Sequence, residues 1–111
     1  MEKSVTIKLV EPIIAHQGAV REITVKAPGL PLYQQYGNPY EFLPTDDGKS
    51  VYVENDRAIE AYMKACVVPP DDDPLLLDQV GLQDAIALRE AILGFFVAAR
   101  LAIASRTSRT S

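Results

Sequence analysis

The side chains with the strongest chemical reactivity are few and are widely separated in the sequence. The chain has one histidine, His16, and one cysteine, Cys66. A thiol and an imidazole make a nucleophile–base pair when the fold brings them together. Cys66, however, falls on the apolar face of a predicted helix, where a cysteine is typically a small buried hydrophobe. With only these two strong ligands, a zinc site is also disfavoured. The residues favour a protein that is not an enzyme and predict neither a metal nor a cofactor.

Two other motifs match ligand sites only in part. The three acids at 71–73 lack the alternating spacing, central glycine and distal glutamate of a calcium loop, and a proline follows them. They fit better a solvated acidic turn that caps the next segment. Residues 48–50, Gly-Lys-Ser, match the end of a phosphate-binding loop, but Leu43 stands where that motif requires its first glycine. Neither motif predicts a nucleotide or cation site.

The length and charge of the chain exclude several classes of partner. Its 111 residues suit one domain. The formal net charge is −4, and residues 51–98 carry three basic and nine acidic side chains. An acidic body attracts a phosphate backbone poorly, and the three arginines after residue 98 are too thinly spaced for a nucleic-acid arm. We therefore expect no nucleic-acid partner.

The expected compartment is the cytoplasm. A single cysteine allows no intrachain disulfide and fits a reducing environment. No apolar run follows the N-terminal charges, so no secretory signal is predicted. The most apolar stretch, 91–104, is shorter than the roughly 20 residues of a spanning helix and contains Arg100. These features predict a protein without a membrane segment.

The first element indicated by the sequence is an antiparallel β-hairpin at about residues 4–26. Apolar and polar residues alternate at 5–10 and again at 22–26, the period of strands buried on one face. Residues 11–19 are expected to form a connection longer than a tight two-residue turn.

Residues 27–50 are rich in proline and glycine, which predicts irregular structure. They also hold four of the eight aromatic residues of the chain: Tyr33, Tyr36, Tyr40 and Phe42. Such a segment is expected either to pack on the hairpin or to order on a partner. Val51–Val53 is a candidate third short strand.

Two or three helices complete the predicted α+β fold. Asn55 or Asp56 is the candidate N-cap of a helix of about 11 residues that ends at Cys66, before a pair of prolines. A short helical turn is expected at 75–77. The final helix is predicted to begin at Leu82 to Asp84 and to end near Ala104, which closes a single domain at 4–104. The tail 105–111 has no apolar residue and is predicted to be disordered.

The final helix is apolar on nearly every side after Glu90. Six of its residues have the 3-4-3-4-3 spacing of a coiled-coil seam: Ala85, Leu88, Ile92, Phe95, Ala99 and Ala102. A hairpin and one other helix offer little cover for such a surface, so it is expected to pack against a second copy or another protein. The alternative is a core helix that the hairpin covers completely. The candidate interface residues are Leu88, Ile92, Leu93, Phe95, Phe96 and Ala99.

Several of these features, taken in order, resemble a known family. They are the strand Val5–Pro12, the strand Val20–Pro28, a helix ending at Cys66 and a helix opening at 81–84. That last helix carries the Phe95-Phe96 pair. The set resembles the short tail assembly chaperones of Mu-like contractile-tailed phages over residues 4–97. Residues 30–53 depart from the family by being longer and richer in proline and tyrosine.

The resemblance implies a role in the cytoplasm of the bacterial host. Proteins of this family bind the tape measure protein, a long helical ruler, and keep it soluble. They help tail tube subunits assemble round it and leave before the virion is complete. The alternatives are a structural tail or connector subunit or a small phage adaptor and, less favoured, a DNA-binding regulator or an enzyme. The predicted helix at 56–66 is not basic, which argues against a regulator.

Overall fold

The computed structural model describes residues 4–109 of the chain, and the side chains of residues 4–105. It confirms the predicted α+β fold class. The strands are β1 (Ser4–Ala15), β2 (Gly18–Lys26), β3 (Tyr40–Pro44) and β4 (Ser50–Glu54). The α-helices are α1 (Leu30–Tyr36), α2 (Asp56–Cys66) and α3 (Leu82–Arg109). Two short 3₁₀ helices, Pro70–Asp72 and Pro74–Gln79, connect α2 to α3.

β1 and β2 form the predicted hairpin, with a large bulge in β1. Lys8 pairs with Glu22, and the register then shifts before Ile13 pairs with Val20. The bulge holds Pro12, which has no N–H to donate and is tolerated where the ladder is interrupted. The strand therefore continues through the proline instead of ending at it.

The turn of this hairpin is shorter than predicted. Because the ladder resumes after the bulge, Ala15 pairs with Gly18 and only His16 and Gln17 connect the strands. Gly18 has a φ of 128°, in the region that favours glycine. The expectation of a long connection over 11–19 was wrong because the bulge absorbs the extra residues within the strand.

The core lies between one face of the hairpin, α2 and α3. These elements supply eight of its buried members: Ile13, Ile23, Val25, Ala58, Tyr62, Cys66, Leu88 and Ile92. Val67 and Leu76, from the segment after α2, are also buried in it. Tyr62 is the largest. Its ring meets the rings of Tyr36 and Phe96 edge-on, and its hydroxyl donates to the Gly37 carbonyl at 2.7 Å. A buried phenol needs such an acceptor, and this one fixes the chain just after α1.

The segment at 27–50 is more regular than its composition predicted. Pro31 stands in the first turn of α1, where its missing N–H costs nothing. Leu32 and Tyr36, four residues apart on one helical face, pack against the core. Part of the segment thus packs on the body, but its principal contact is with α2 and not, as was expected, with the hairpin.

β4 contains the predicted strand at 51–53, but it does not join the first hairpin. It pairs with β3 to make a second two-stranded sheet. Gly48, at a φ of 82°, lies in the turn between them, where the Thr45 N–H donates to the Lys49 carbonyl at 2.8 Å. Gly48 and Lys49 therefore belong to a hairpin connection, and Ser50 begins β4.

Side-chain caps set the starts of two helical segments. Asn55 is the N-cap of α2, and its Oδ1 accepts from the Ala58 N–H at 3.1 Å. Asp73 likewise accepts from the Leu75 N–H at 3.0 Å, so the acidic run caps the following 3₁₀ helix, as predicted. Both caps satisfy N–H groups that the first turn leaves without a partner.

α3 extends further than predicted. The helix continues to Arg109, whereas the expected end was Ala104 and residues 105–111 were expected to be disordered. Extending an existing helix adds one hydrogen bond for each residue fixed, so a long apolar helix carries polar residues along at its end. The last two residues of the predicted tail lie outside the described residues.

The outer edge of β1 is closed by two side chains, one from the first turn of α3 and one from the 3₁₀ helix before it. The Asp84 carboxylate is 2% exposed and accepts from the bulge N–H groups of Val10 and Glu11, at 2.9 and 3.1 Å. The Gln79 amide accepts from the Ile14 N–H and donates to its carbonyl, at 2.9 and 3.0 Å. These groups take the place of a neighbouring strand and protect the edge from other chains.

We expect Asp84→Ala to lower the free energy of unfolding by about 1 to 3 kcal/mol, because two backbone N–H groups lose their acceptor. Urea denaturation followed by circular dichroism measures the change. Asp78→Ala is the control: Asp78 is exposed, and its removal should cost less than about 0.5 kcal/mol. Equal losses in the two variants would show that the carboxylate does not hold the bulge.

Candidate functional site

An apolar groove lies between the hairpin and the second half of α3. Its volume is about 620 Å³. One wall consists of Val5 and Ile7 from β1 with Ala27 and Pro28 after β2. The other wall is α3, whose small residues face the opening: Ala91, Gly94, Ala98 and Ala102. Small residues on a helix allow another backbone to approach closely.

The structure separates the six predicted interface residues into two groups. Leu88 and Ile92 are 3% and 0% exposed and belong to the core, so their assignment to an interface was wrong. The hairpin and α2 reach these two positions and cover them within one chain. The other four are half-buried: Leu93, Phe95, Phe96 and Ala99. Of these, Phe95, Phe96 and Ala99 line the groove.

Phe96 links the groove to the aromatic core. Its ring centroid lies 5.0 Å from that of Tyr62 and 6.3 Å from that of Tyr33. Tyr33, on α1, is itself held by a 2.7 Å hydrogen bond from its hydroxyl to the Asn38 side chain. The Phe96 ring therefore packs on two aromatic neighbours on the side of the core.

Gly94 is unusual because nothing in the described part of the chain requires a glycine there. It lies inside α3, and a Cβ at this position would meet no atom from another part of the described chain within 4 Å. A glycine inside a helix costs about 1 kcal/mol relative to alanine. A residue that weakens its helix and lines an open groove suggests close approach by another molecule.

A second exposed apolar surface is formed by β3 and β4, called here the β-arm (residues 40–54). Phe42 and Tyr52 are 63% and 47% exposed, and their ring centroids lie 5.4 Å apart. Leu43, Val51 and Val53 are also exposed. A lone two-stranded hairpin is only marginally stable in water, so apolar side chains on both of its faces are a feature to explain.

Two arginines of α3, Arg89 and Arg100, hold the β-arm against the helix. Arg89 forms an ion pair with Glu54 at the end of β4 and reaches Asp56 at 3.4 Å. The guanidinium, together with the Tyr52 hydroxyl, lowers the pKa of the Glu54 carboxyl. Further along α3, Arg100 donates to the Asn38 side chain and lies 5.5 Å above the Tyr40 ring. The arm therefore has a defined position on the body.

Sequence reasoning missed most of these surface residues. It placed the exposed apolar surface on the seam of α3, whereas the groove also needs Val5, Ile7 and Pro28 from the hairpin. The glycine inside the apolar run of α3 and the aromatic residues at 27–50 were the available signals.

The residues with reactive side chains lie in different settings. Cys66 is 2% exposed in the core, and burial raises the pKa of its thiol, which disfavours the thiolate that a nucleophile needs. His16 lies exposed at the turn of the first hairpin, 3.6 Å from Asp73. The structure gives a Cys–His pair no support.

Residues 4–109 contain no group of three or more His, Cys, Asp or Glu side chains placed to hold a metal ion. Over the same residues, no helix has both the length and the apolarity to cross a membrane.

Comparison with protein-family models, curated proteins and solved structures gives no match for the chain.

We expect Gly94→Ala to raise the free energy of unfolding by about 0.5 to 1 kcal/mol, since the methyl group has room and the helix gains. Denaturant unfolding measures it. Gly48→Ala is the opposite case and should destabilise the protein, because Gly48 has a φ of 82°. A loss of stability in Gly94→Ala would mean that the glycine serves the fold.

The Arg89–Glu54 pair predicts a pH-dependent stability difference between the wild type and Arg89→Met. The pKa of the Glu54 carboxyl is lowered in the folded protein from its ordinary value of 4.5. The contribution of Glu54 to folding stability is therefore present above pH 4.5 and is lost as the pH falls through the lowered pKa. The wild type should exceed Arg89→Met in stability at pH 7, and the difference should shrink below pH 4.5. Thermal melts across this range measure it, and a difference independent of pH would contradict the assignment.

Proposed function

We propose that the protein is a phage or prophage tail assembly chaperone that binds the tape measure protein in the host cytoplasm. It keeps that protein soluble while the tail tube assembles round it and is absent from the mature virion. No catalytic step belongs to this role.

The observation that carries the proposal is a coincidence between the motif residues and the groove. Val5–Pro12 and Val20–Pro28 carry the resemblance to tail assembly chaperones, and the hairpin they form supplies Val5, Ile7 and Pro28 to one wall. Phe95 and Phe96, the other part of that resemblance, line the opposite wall. The residues typical of the family thus support one continuous surface.

The form of the groove suits a helical client. It is apolar, open to solvent and lined on α3 by alanine and glycine, so a second helix can lay its apolar face against it. A tape measure protein, a long helix with repeated apolar faces, is such a client. Covering these faces one segment at a time prevents the client from aggregating.

The charge of the chain supports the same role. Residues 51–98 have three basic and nine acidic side chains. An excess of carboxylates keeps a complex soluble even when it carries an apolar client.

Co-expression with the tape measure protein of the same phage or prophage tests the proposal. The wild type should increase the soluble fraction of that protein and retain it in a pull-down. Ala98→Glu places a carboxylate in the groove and should abolish both effects. Ala65→Glu, an exposed alanine of α2 outside the groove, is the matched control and should behave as the wild type.

Failure of the wild type to bind or solubilise the tape measure protein would reject the proposal. Equal loss of binding in both variants would reject the groove as the binding surface. A structural tail or connector subunit is distinguished by mass spectrometry of purified virions, which should contain such a subunit and lack a chaperone.

A further inference from the structure

We propose that the protein forms a two-fold symmetric dimer in which the outer edge of β4 pairs antiparallel with β4 of a second copy, centred on Tyr52. The two β-arms then make one four-stranded sheet. The inference concerns a surface outside the groove and is independent of the proposed function.

The hydrogen bonds at the two ends of the β-arm show which backbone groups point outward. The Thr45 N–H donates to the Lys49 carbonyl, and the Asn55 N–H donates to the Pro39 carbonyl. Hydrogen-bonded pairs alternate along an antiparallel ladder, so Val51 and Val53 direct their backbone groups toward β3. Ser50, Tyr52 and Glu54 therefore direct theirs away from it.

Among the described residues, no strand pairs with this outer edge. The first hairpin differs on both sides. Side chains of Asp84 and Gln79 close the edge of β1, and Val67 bridges to Val25 on the edge of β2. The fold thus closes the edges of one sheet and leaves β4 as an open template for another strand.

The β4 edge is complementary to itself in one register. When Tyr52 faces Tyr52 of the second copy, each Ser50 faces a Glu54 and each Val51 faces a Val53. All three outward-facing residues of each strand then pair, which gives six backbone hydrogen bonds with no like charges opposed. A shift of two residues toward Ser50 leaves one outward residue of each strand unpaired. A shift of four toward the other end opposes two carboxylates of Glu54.

The edge of β3 is less suitable for the same pairing. Pro44 has no N–H, so one of its three outward positions cannot donate. The energetic gain also favours dimerisation through β4. Val51 and Val53 are 49% and 42% exposed in one chain, and each gains a valine as a cross-strand neighbour when β4 pairs. Three or more strands are needed for a sheet to be stable alone, and the dimer supplies four.

Sedimentation equilibrium over about 1 to 100 µM tests the dimer with two proline variants. Tyr52→Pro removes an outward N–H of β4 without removing a backbone hydrogen bond of the β-arm, although the side-chain bond from the Tyr52 hydroxyl to Glu54 is lost as well. It should raise the dimer dissociation constant by about tenfold or more. Phe42→Pro makes the same change on the edge of β3, also with the loss of one aromatic ring, and should leave the dimer intact. Far-ultraviolet circular dichroism verifies that each variant is folded.

Two pairs of substitutions test the register without proline. Val51→Lys with Val53→Lys opposes like charges across the two-fold axis and should give a monomer. Val51→Lys with Val53→Glu opposes unlike charges and should restore the dimer. As a direct measure of distance, Tyr52→Cys should give an oxidised covalent dimer, whereas Phe42→Cys should not.

A wild type that remains a monomer at the highest concentration would overturn the proposal. So would a dimer that both proline variants preserve, or one in which the two charge combinations behave alike. A dimer abolished by Ala98→Glu but kept by Tyr52→Pro would show that two copies meet through the groove instead.

Discussion

The buried carboxylate of Asp84 joins α3 to the first hairpin. It stands in the first turn of α3 and binds the N–H groups of Val10 and Glu11 in the bulge of β1. A polar group at 2% exposure is tolerated only with such hydrogen-bond partners. This contact sets the start of α3 against the hairpin, and the helix then runs along the hairpin with Leu88 and Ile92 in the core. The groove lies between the same helix and hairpin, further along α3.

The two hairpins differ in how far the rest of the chain covers them. The first is enclosed: one face covers the core, and side chains or a bridge occupy its edges. The β-arm is held at its base by Arg89 and Arg100, while its apolar side chains remain in solvent. Exposed apolar surface has a cost in free energy, and a protein retains it where another chain covers it. Among the described residues, the groove and the β-arm are the two surfaces for which we propose such a covering chain.

The two surfaces suit different kinds of contact. In the groove, small side chains beside the rings of Phe95 and Phe96 suit an apolar helix that packs closely against them. At the β4 edge, backbone N–H and carbonyl groups suit a strand and select its register. Because they lie on different elements, a dimer formed through β4 leaves the groove of each copy free for a client.

The sequence by itself determined the elements whose pattern is local. The alternation in β1 and β2, the Asn55 cap and the apolar face ending at Cys66 depend on neighbouring residues, so they could be predicted. Tertiary structure decided the rest. The position of β4 depends on pairing with β3, and the bulge at Pro12 on Asp84, a partner more than 70 residues away. Which side of the nearly uniform α3 faces inward was settled only by the hairpin and α2. The one periodic signal in this helix, its 3-4-3-4-3 seam, contains both core and groove residues, so Leu88 and Ile92 could not be told from Phe95 and Ala99.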